Sequence, residues 1–198
     1  MLLSTACAAC SRPGPSPCPA CAATLVRPAP IPPPPGIDIV LAALAYEGAA
    51  REVIAQLKYR NRRSPVAWLA AAMAALVRAA GGGAAAPVQA VTWAPTTPSR
   101  RRQRGFDQAE LLARAVGHRL HLPVMGLLRR LPGPPQTGRT RAERRTLPAF
   151  TPGPRASPAC VLLVDDVLTT GATLSAAGRA LRSIGAEEVV ALVAGRRA

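Results

Sequence analysis

The chain predicts an α/β fold built on a parallel sheet, and three observations predict it. Residues 161–164, Val-Leu-Leu-Val, are an apolar run of the kind that forms a strand buried on both faces. Strand-like and helix-like stretches alternate along the chain, as they do when helices cross between parallel strands. The apolar run leads into Asp165-Asp166, then the small-residue turn Thr169-Thr170-Gly171-Ala172-Thr173, then a helical stretch at 174–184. Ligands of open α/β sheets sit at such carboxyl ends of strands.

Taken in order, the chain starts with a cysteine-rich segment. Cys7-x2-Cys10 and Cys18-x2-Cys21 lie within the first 21 residues. Paired knuckles in a cytosolic chain predict a four-thiolate Zn2+ site, structural because four thiolates leave no open position. A degenerate, empty site and a pair of disulfides are the rival readings, and a reducing compartment disfavours the disulfides. Residues 27–36 hold Pro28, Pro30 and Pro32 to Pro35, a composition that predicts a stiff extended linker. The expected organisation is a module at 1–26, the linker at 27–36 and a main domain at 37–198, with the linker isolating the module.

Within the main domain, 37–46 reads as extended, 48–59 as helix and 65–80 as a second helix ended by Gly81 to Gly83. Residues 88–94 read as a strand, and 108–120 as a helix with Asp107 as its N-cap. The stretch 127–159 is rich in Pro and Arg with little periodicity. Strand 160–164, helix 174–184 and strand 189–194 complete the alternation. Cys160 reads as a core residue. His118 and His121 have no acidic neighbour in sequence and read as surface or structural residues.

Length and composition bound the function. A chain of 198 residues predicts one domain with a small appendage, large enough for a real core. Aromatics are only 3% of residues, so that core must be built from Ala, Val and Leu, and a base-stacking platform for single strands is a poor fit. The formal net charge is +15, with Lys58 the only lysine. A basic surface favours polyanionic ligands. The Arg excess beside abundant Ala, Pro and Gly is also the mark of GC-rich coding, which weakens an inference from charge to nucleic acid. No apolar run approaches the ~18 residues of a membrane span, and the first residues lack the basic start of a signal peptide. The expectation is a cytoplasmic protein without membrane insertion.

The chemistry concentrates in two places. At 165–173, two adjacent carboxylates can accept hydrogen bonds from vicinal ribose hydroxyls, while loop N–H groups, Thr hydroxyls and the helix start attract a phosphate. An ordinary capped helix start is the bland reading, since Asp and Thr are common there. The loop is no Walker A motif, because no Lys follows Gly171 and the acidic pair comes first. At 91–108, a strand ends in a Pro/Thr loop that includes Thr96, with Arg100, Arg101, Arg102 and Arg104 behind it. These can present donors to a diphosphate; a solvated basic loop is the alternative.

The 161–173 segment resembles the fingerprint of type I phosphoribosyltransferases, which bind phosphoribosyl diphosphate (PRPP). Tyr46-Glu47-Gly48, Leu57-Lys58-Tyr59, the run Arg104-Gly105-Phe106-Asp107-Gln108 and the closing 164–174 stretch stand in the order found in ComF-family proteins, phosphoribosyltransferase-like proteins linked to bacterial competence. The resemblance spans nearly the whole chain. Arg130, Gln136, Arg141 and Arg145, followed by Phe150, resemble that family's variable loop. Departures are Trp93-Ala94-Pro95-Thr96 where Val-Pro-Val-Pro is usual, Asp107 where Asn is usual, and Thr146 in place of an Asn after the loop arginine.

The resemblance implies a type I phosphoribosyltransferase-like sheet flanked by helices, with a small N-terminal four-cysteine zinc module. It implies that Asp165 and Asp166 hold the ribose 2′- and 3′-hydroxyls and that Thr169, Thr170, Gly171, Ala172 and Thr173 cradle the 5-phosphate. Thr96, Arg100, Arg101, Arg102, Arg104 and Lys58 become candidates for the diphosphate, with Mg2+ accompanying PRPP. No catalytic residue and no acceptor base is readable. The rival expectation is a non-catalytic PRPP- or nucleotide-binding adaptor in competence-related handling of single-stranded DNA, with weak nucleic-acid binding and partners in the competence machinery.

Overall fold

Two adjacent strands carry the core: β5 (Cys160–Leu168) and β6 (Glu188–Arg196). The computed structural model describes residues 6–58, 64–81, 87–131 and 149–197. With β1 (Ile39–Ala45) and β2 (Ala90–Trp93), these strands form a four-stranded sheet in the order β1-β6-β5-β2, parallel throughout. The α/β expectation holds. Both central strands read as near-continuous Val, Leu and Ala because both faces are covered.

Side-chain alternation divides the core in two. Leu162 and Val164 of β5, with Val190 and Leu192 of β6, pack into one cluster with Leu69, Met73 and Leu112. These three come from α3 (Ser64–Ala79) and α5 (Gln108–Leu120). Val161 and Leu163, with Val189 and Ala191, pack on the opposite face with Leu174 and Leu181 of α6 (Ala172–Arg182). Each fully buried Leu or Val contributes about 1.5–3 kcal/mol, so a core nearly free of aromatics still suffices.

Most elements match their expected spans. Helix α5 occupies 108–120, with Asp107 as N-cap. Cys160 is buried, and His118 and His121 are exposed. The differences have physical reasons. The helix expected over 48–59 is α2 (Gly48–Ala55), which tightens into a 3-10 turn over Gln56–Lys58. Strand β5 runs four residues past the expected 164, because Asp165, Val167 and Leu168 keep their parallel partners in β6. The region read as a Pro/Thr loop before an arginine run contains α4 (Pro98–Arg104), capped by the Thr97 hydroxyl and closed by Gly105 in the left-handed region. Pro at the first helical position and Gly just past the end fit that assignment. Within the aperiodic stretch, β3 (Leu128–Arg130) and β4 (Phe150–Pro152) pair antiparallel.

The cysteine segment does not stand apart. Ala8 is buried in the same cluster as Leu69 and Leu162, with Ala9 and Leu25 packed against that cluster. The segment includes a single helical turn, α1 (Pro19–Ala22). The Ala45 N–H donates to the Val26 carbonyl at 2.8 Å. The proline-rich residues then run back over the domain, where Pro34 abuts Gly171 and Gly36 abuts Gly178. The expected isolation of the module by its linker is therefore corrected: prolines donate no hydrogen bonds to an edge, but here their rings and neighbours pack directly on the domain.

Gly178 tests this packing. A Cβ there would overlap the Gly36 carbonyl, and Gly178 is in mid-helix, where Ala is otherwise preferred. Gly178→Ala is expected to destabilise by about 1–3 kcal/mol as an overpacking change, measured by urea unfolding. A gain in stability would show that the strap does not press on α6.

Candidate functional site

A cleft opens where β2 stops and β5 continues. The last β2–β5 pair is Trp93 with Val164, and the Ala94 N–H donates to the Val164 carbonyl at 3.0 Å. Beyond this point β5 is paired only with β6. The chain leaving β2 leads to α5 on one face, while β5 leads to α6 on the other. Two neighbouring strands whose connections depart to opposite faces make a crevice at their carboxyl ends. The cleft holds about 330 Å3, within the usual range for small-molecule sites, about 300–1,000 Å3.

Asp165 and Asp166 line this cleft, both half-buried. Their rotamers are set locally. Asp165 Oδ1 accepts the Asp166 N–H at 2.8 Å, and Asp166 Oδ1 accepts the Val167 N–H at 2.7 Å. Burial pushes Asp165 well above the usual carboxylate range, and the neighbouring Asp166 charge adds to the shift. A carboxylate held this way gains from a donor brought by a ligand.

The turn after β5 forms a smaller cup of about 20 Å3, lined by residues 169–174 with Asp165, Val167 and Leu168. Gly171 adopts φ 78° as the N-cap residue of α6 and supplies no side-chain cap. The Ala172 N–H donates to Thr170 Oγ1 at 3.4 Å, and the first turn of the helix lines the cup, a place where a helix start favours an anion. Thr169 and Thr173 line both cup and cleft. The five residues read as a phosphate loop are thereby brought around one small space.

The opposite wall comes from the β2–α5 connection. Thr96, Arg100 and Arg104 line the cleft. Arg100 and Arg104 are four apart on α4 and so share a face. Arg101 and Arg102 are exposed and do not line it, and Arg101 sits 3.7 Å from Glu110. The Lys58 side chain, Gln136, Arg141, Arg145 and Thr146 lie outside the described residues.

Tyr46, Asp107 and Gln108 line the cleft without having been singled out as ligand contacts, and Arg130 joins them from the 127–150 stretch, itself a diphosphate candidate. Tyr46 follows β1 and reaches the cleft from the far strand. Arg130, at the end of β3, lies 5.2 Å over the Phe150 ring across the β3–β4 pair. Burial lowers its pKa, and the Asp165 charge opposes that shift. Asp107 is 3% exposed and stitches the two halves of the wall. Its Oδ2 accepts the Thr96 N–H at 2.7 Å, while Oδ1 accepts the Ala109 N–H at 3.0 Å. Burial raises its pKa against these hydrogen bonds. Gln108 follows directly and also lines the cleft. The Arg-Gly-Phe-Asp-Gln run was the available signal for the last two.

Away from the cleft, the sulfurs of Cys7, Cys10, Cys18 and Cys21 all lie within 4.8 Å of one another. None is in a disulfide. The Cys10 and Cys18 sulfurs are 3.8 Å apart, and a tetrahedron with metal–sulfur distances of ~2.3 Å has edges of about 3.8 Å. Burial raises Cys7, but the N–H groups of Cys18, Cys10 and Ala9 outweigh it and bring the thiol down to about 6. Hydrogen bonds with Cys18 and Cys10 favour the protonated Cys21, which is pushed up to about 12. The cluster fits a metal ion, whose charge would offset that of the gathered thiolates.

Comparisons with known proteins agree with this geometry. The Phosphoribosyl transferase domain family matches residues 142–197, which contain β5, its turn and α6. The chain is 34% identical over 97 residues to the protein named Competence protein ComFC of Streptococcus pneumoniae, covering 48% of this chain and 42% of that protein. It is 35% identical over 89 residues to Competence protein ComFC of Bacillus subtilis, covering 44% and 35% respectively. The chain thus matches less than half the length of either curated relative. Among the described residues no helix is long and apolar enough to cross a membrane. Over these segments the chain is similar to the competence proteins ComFC, and residues 142–197 match the Phosphoribosyl transferase domain within a parallel α/β sheet.

Proposed function

We propose that the cleft binds PRPP with Mg2+ and presents the ribose for transfer to an acceptor. The observation that carries this reading is convergence: the acidic pair, Thr169 and Thr173 of the small-residue turn and two arginines of α4 all line one cleft, and the rest of the turn lines the adjoining cup. In this reading Asp165 and Asp166 accept from the ribose hydroxyls, and residues 169–173 with the α6 N-terminus hold the 5-phosphate. Thr96, Arg100 and Arg104 face the diphosphate. The carboxylate oxygens in the cleft suit a hard cation, and Mg2+, when bound, supplies charge neutralisation at the diphosphate. The residues themselves fix the ribose against the departing anion, so catalysis would rest on positioning and electrostatics.

Titration of PRPP with Mg2+ is expected to show one saturable site per chain. Asp165→Asn with Asp166→Asn should weaken it at least tenfold, since each lost partner costs about 1–3 kcal/mol. Unchanged affinity would sink the ribose assignment. Stability should move the other way. A folded-state pKa raised above the unfolded value means that the folded chain holds the proton more tightly, so stability falls as pH rises from the ordinary carboxylate range through the raised pKa of Asp165. Asp165→Asn alone is therefore expected to raise Tm at neutral pH and leave it unchanged in acid. A base panel then tests transfer: turnover of any base supports an enzyme, and tight binding without turnover supports an adaptor.

The cysteine cluster is proposed to hold structural Zn2+. Protein purified under reducing conditions should carry about one zinc per chain, lost with Cys7→Ser and Cys10→Ser together. Because Ala8 is packed in the main core, loss of the metal should lower the Tm of the whole chain. Metal analysis without zinc would reject the site.

The second reading is an adaptor that contacts DNA. It is favoured by the exposed Arg101 and Arg102, by the net charge of +15 and by the competence-protein names of the relatives. Binding to single-stranded DNA should be sequence-independent and steeply salt-dependent. Since Arg101 and Arg102 are outside the cleft lining, their reversal to Glu should abolish DNA binding and spare PRPP. A gel shift at about 150 mM salt and again at low salt decides: no binding at either removes this reading.

A further inference from the structure

We infer that Gln108 is a ligand-contacting residue whose side-chain amide donates to an oxyanion at the arginine end of the cleft. The inference rests on the PRPP reading and names a contact within it. Gln108 is 3% exposed and lines the cleft. Its Nε2 is buried with no hydrogen-bond partner among the described residues. Buried amides without partners are rare, because the lost hydration is not replaced. Among the described residues no group satisfies this one, and the side chain lines the cleft, so a ligand seated there is the available partner.

The chemistry of the surroundings selects the partner. An amide N–H needs an acceptor. The Asp165 end of the cleft presents carboxylates, which need donors from a ligand. The Thr96 end carries the guanidinium groups of Arg100 and Arg104, whose positive charge favours an anion. Gln108 belongs to the latter wall, because Asp107 beside it takes the Thr96 N–H at 2.7 Å and caps α5 with its other oxygen. That stitch fixes the backbone of the first residue of α5 against the loop, so the side chain extends from a set position. A neutral donor beside two guanidinium groups fits a diphosphate oxygen, adding direction to charge that is already there.

Two separate probes test this on the full-length protein: inorganic diphosphate with Mg2+, and ribose 5-phosphate. Gln108→Leu keeps the volume and removes the amide. It should weaken diphosphate about tenfold or more, leave ribose 5-phosphate within about twofold, and not lower Tm, since the substitution relieves an unsatisfied buried group. Gln108→Glu places an acceptor at the same position and should weaken diphosphate further. Unchanged diphosphate affinity in Gln108→Leu, equal loss of both probes, or a clear fall in Tm would assign Gln108 to packing and overturn the inference. Wild-type protein that binds ribose 5-phosphate without diphosphate would overturn it alone. Wild-type protein that binds neither would overturn the PRPP reading with it.

Discussion

The site depends on one mismatch of length. Strand β2 ends at Trp93, opposite Val164, while β5 continues to Leu168 on the support of β6 alone. Had β2 been four residues longer, its backbone would occupy the flank on which the cleft opens. The extension is stable because β6 remains long enough to pair with it: Val193 stands opposite Asp165, and Arg196 opposite Leu168. The buried Val, Leu and Ala residues of these central strands therefore do more than supply hydrophobic stabilisation. They hold a polar strand end rigid where loops alone would not.

Electrostatics makes that strand end costly in the absence of a ligand. Asp165 is pushed up by burial and by Asp166, and Asp107 is pushed up by burial on the facing wall. Arg130, itself lowered by burial, is drawn back up by Asp165 and Asp107. The cleft thus holds both signs of charge in close quarters. A ligand with hydroxyl donors at one end and an anion at the other would complement both sets. Groups tuned this far from their ordinary titration gather at functional sites, although structural networks can shift them too. Here the shifts accompany a cleft and a turn of matching geometry.

What was legible in the sequence followed local rules. Strand β5 and helix α5 could be read because a continuous apolar run and a capped amphipathic pattern are one-dimensional signals. The turn 169–173 could be read because acidic pair, small residues and helix start are contiguous. Helix α4 was hidden although Thr97, Pro98 and Gly105 mark its ends, because its body is an arginine run with no apolar period. The β3–β4 pair was hidden because each strand has three residues and the partners are far apart in sequence. Tyr46 and Gln108 could not be assigned to the cleft from spacing, since they follow opposite edge strands of the sheet and come to line one cleft only through the fold. The helical repeat explains why Arg100 and Arg104 enter the cleft together while Arg101 and Arg102 do not.

The proline-rich stretch is the element whose role changes most once the fold is known. As a linker it would merely separate two bodies. As folded, it begins with a carbonyl at Val26 that takes an N–H from Ala45 near the end of edge strand β1. It ends with Pro34 against Gly171 and Gly36 against Gly178. An open edge strand invites pairing with other chains, and proline is a natural guard there because it offers no N–H. The same segment presses on the glycine that opens α6, so the turn that forms the small cup is braced from behind. With φ 78° at Gly171, only glycine adopts that turn without strain, and only glycine leaves room for the Pro34 ring. The cysteine segment at one end of this strap and the 169–173 turn at the other are consequently joined by ordinary packing.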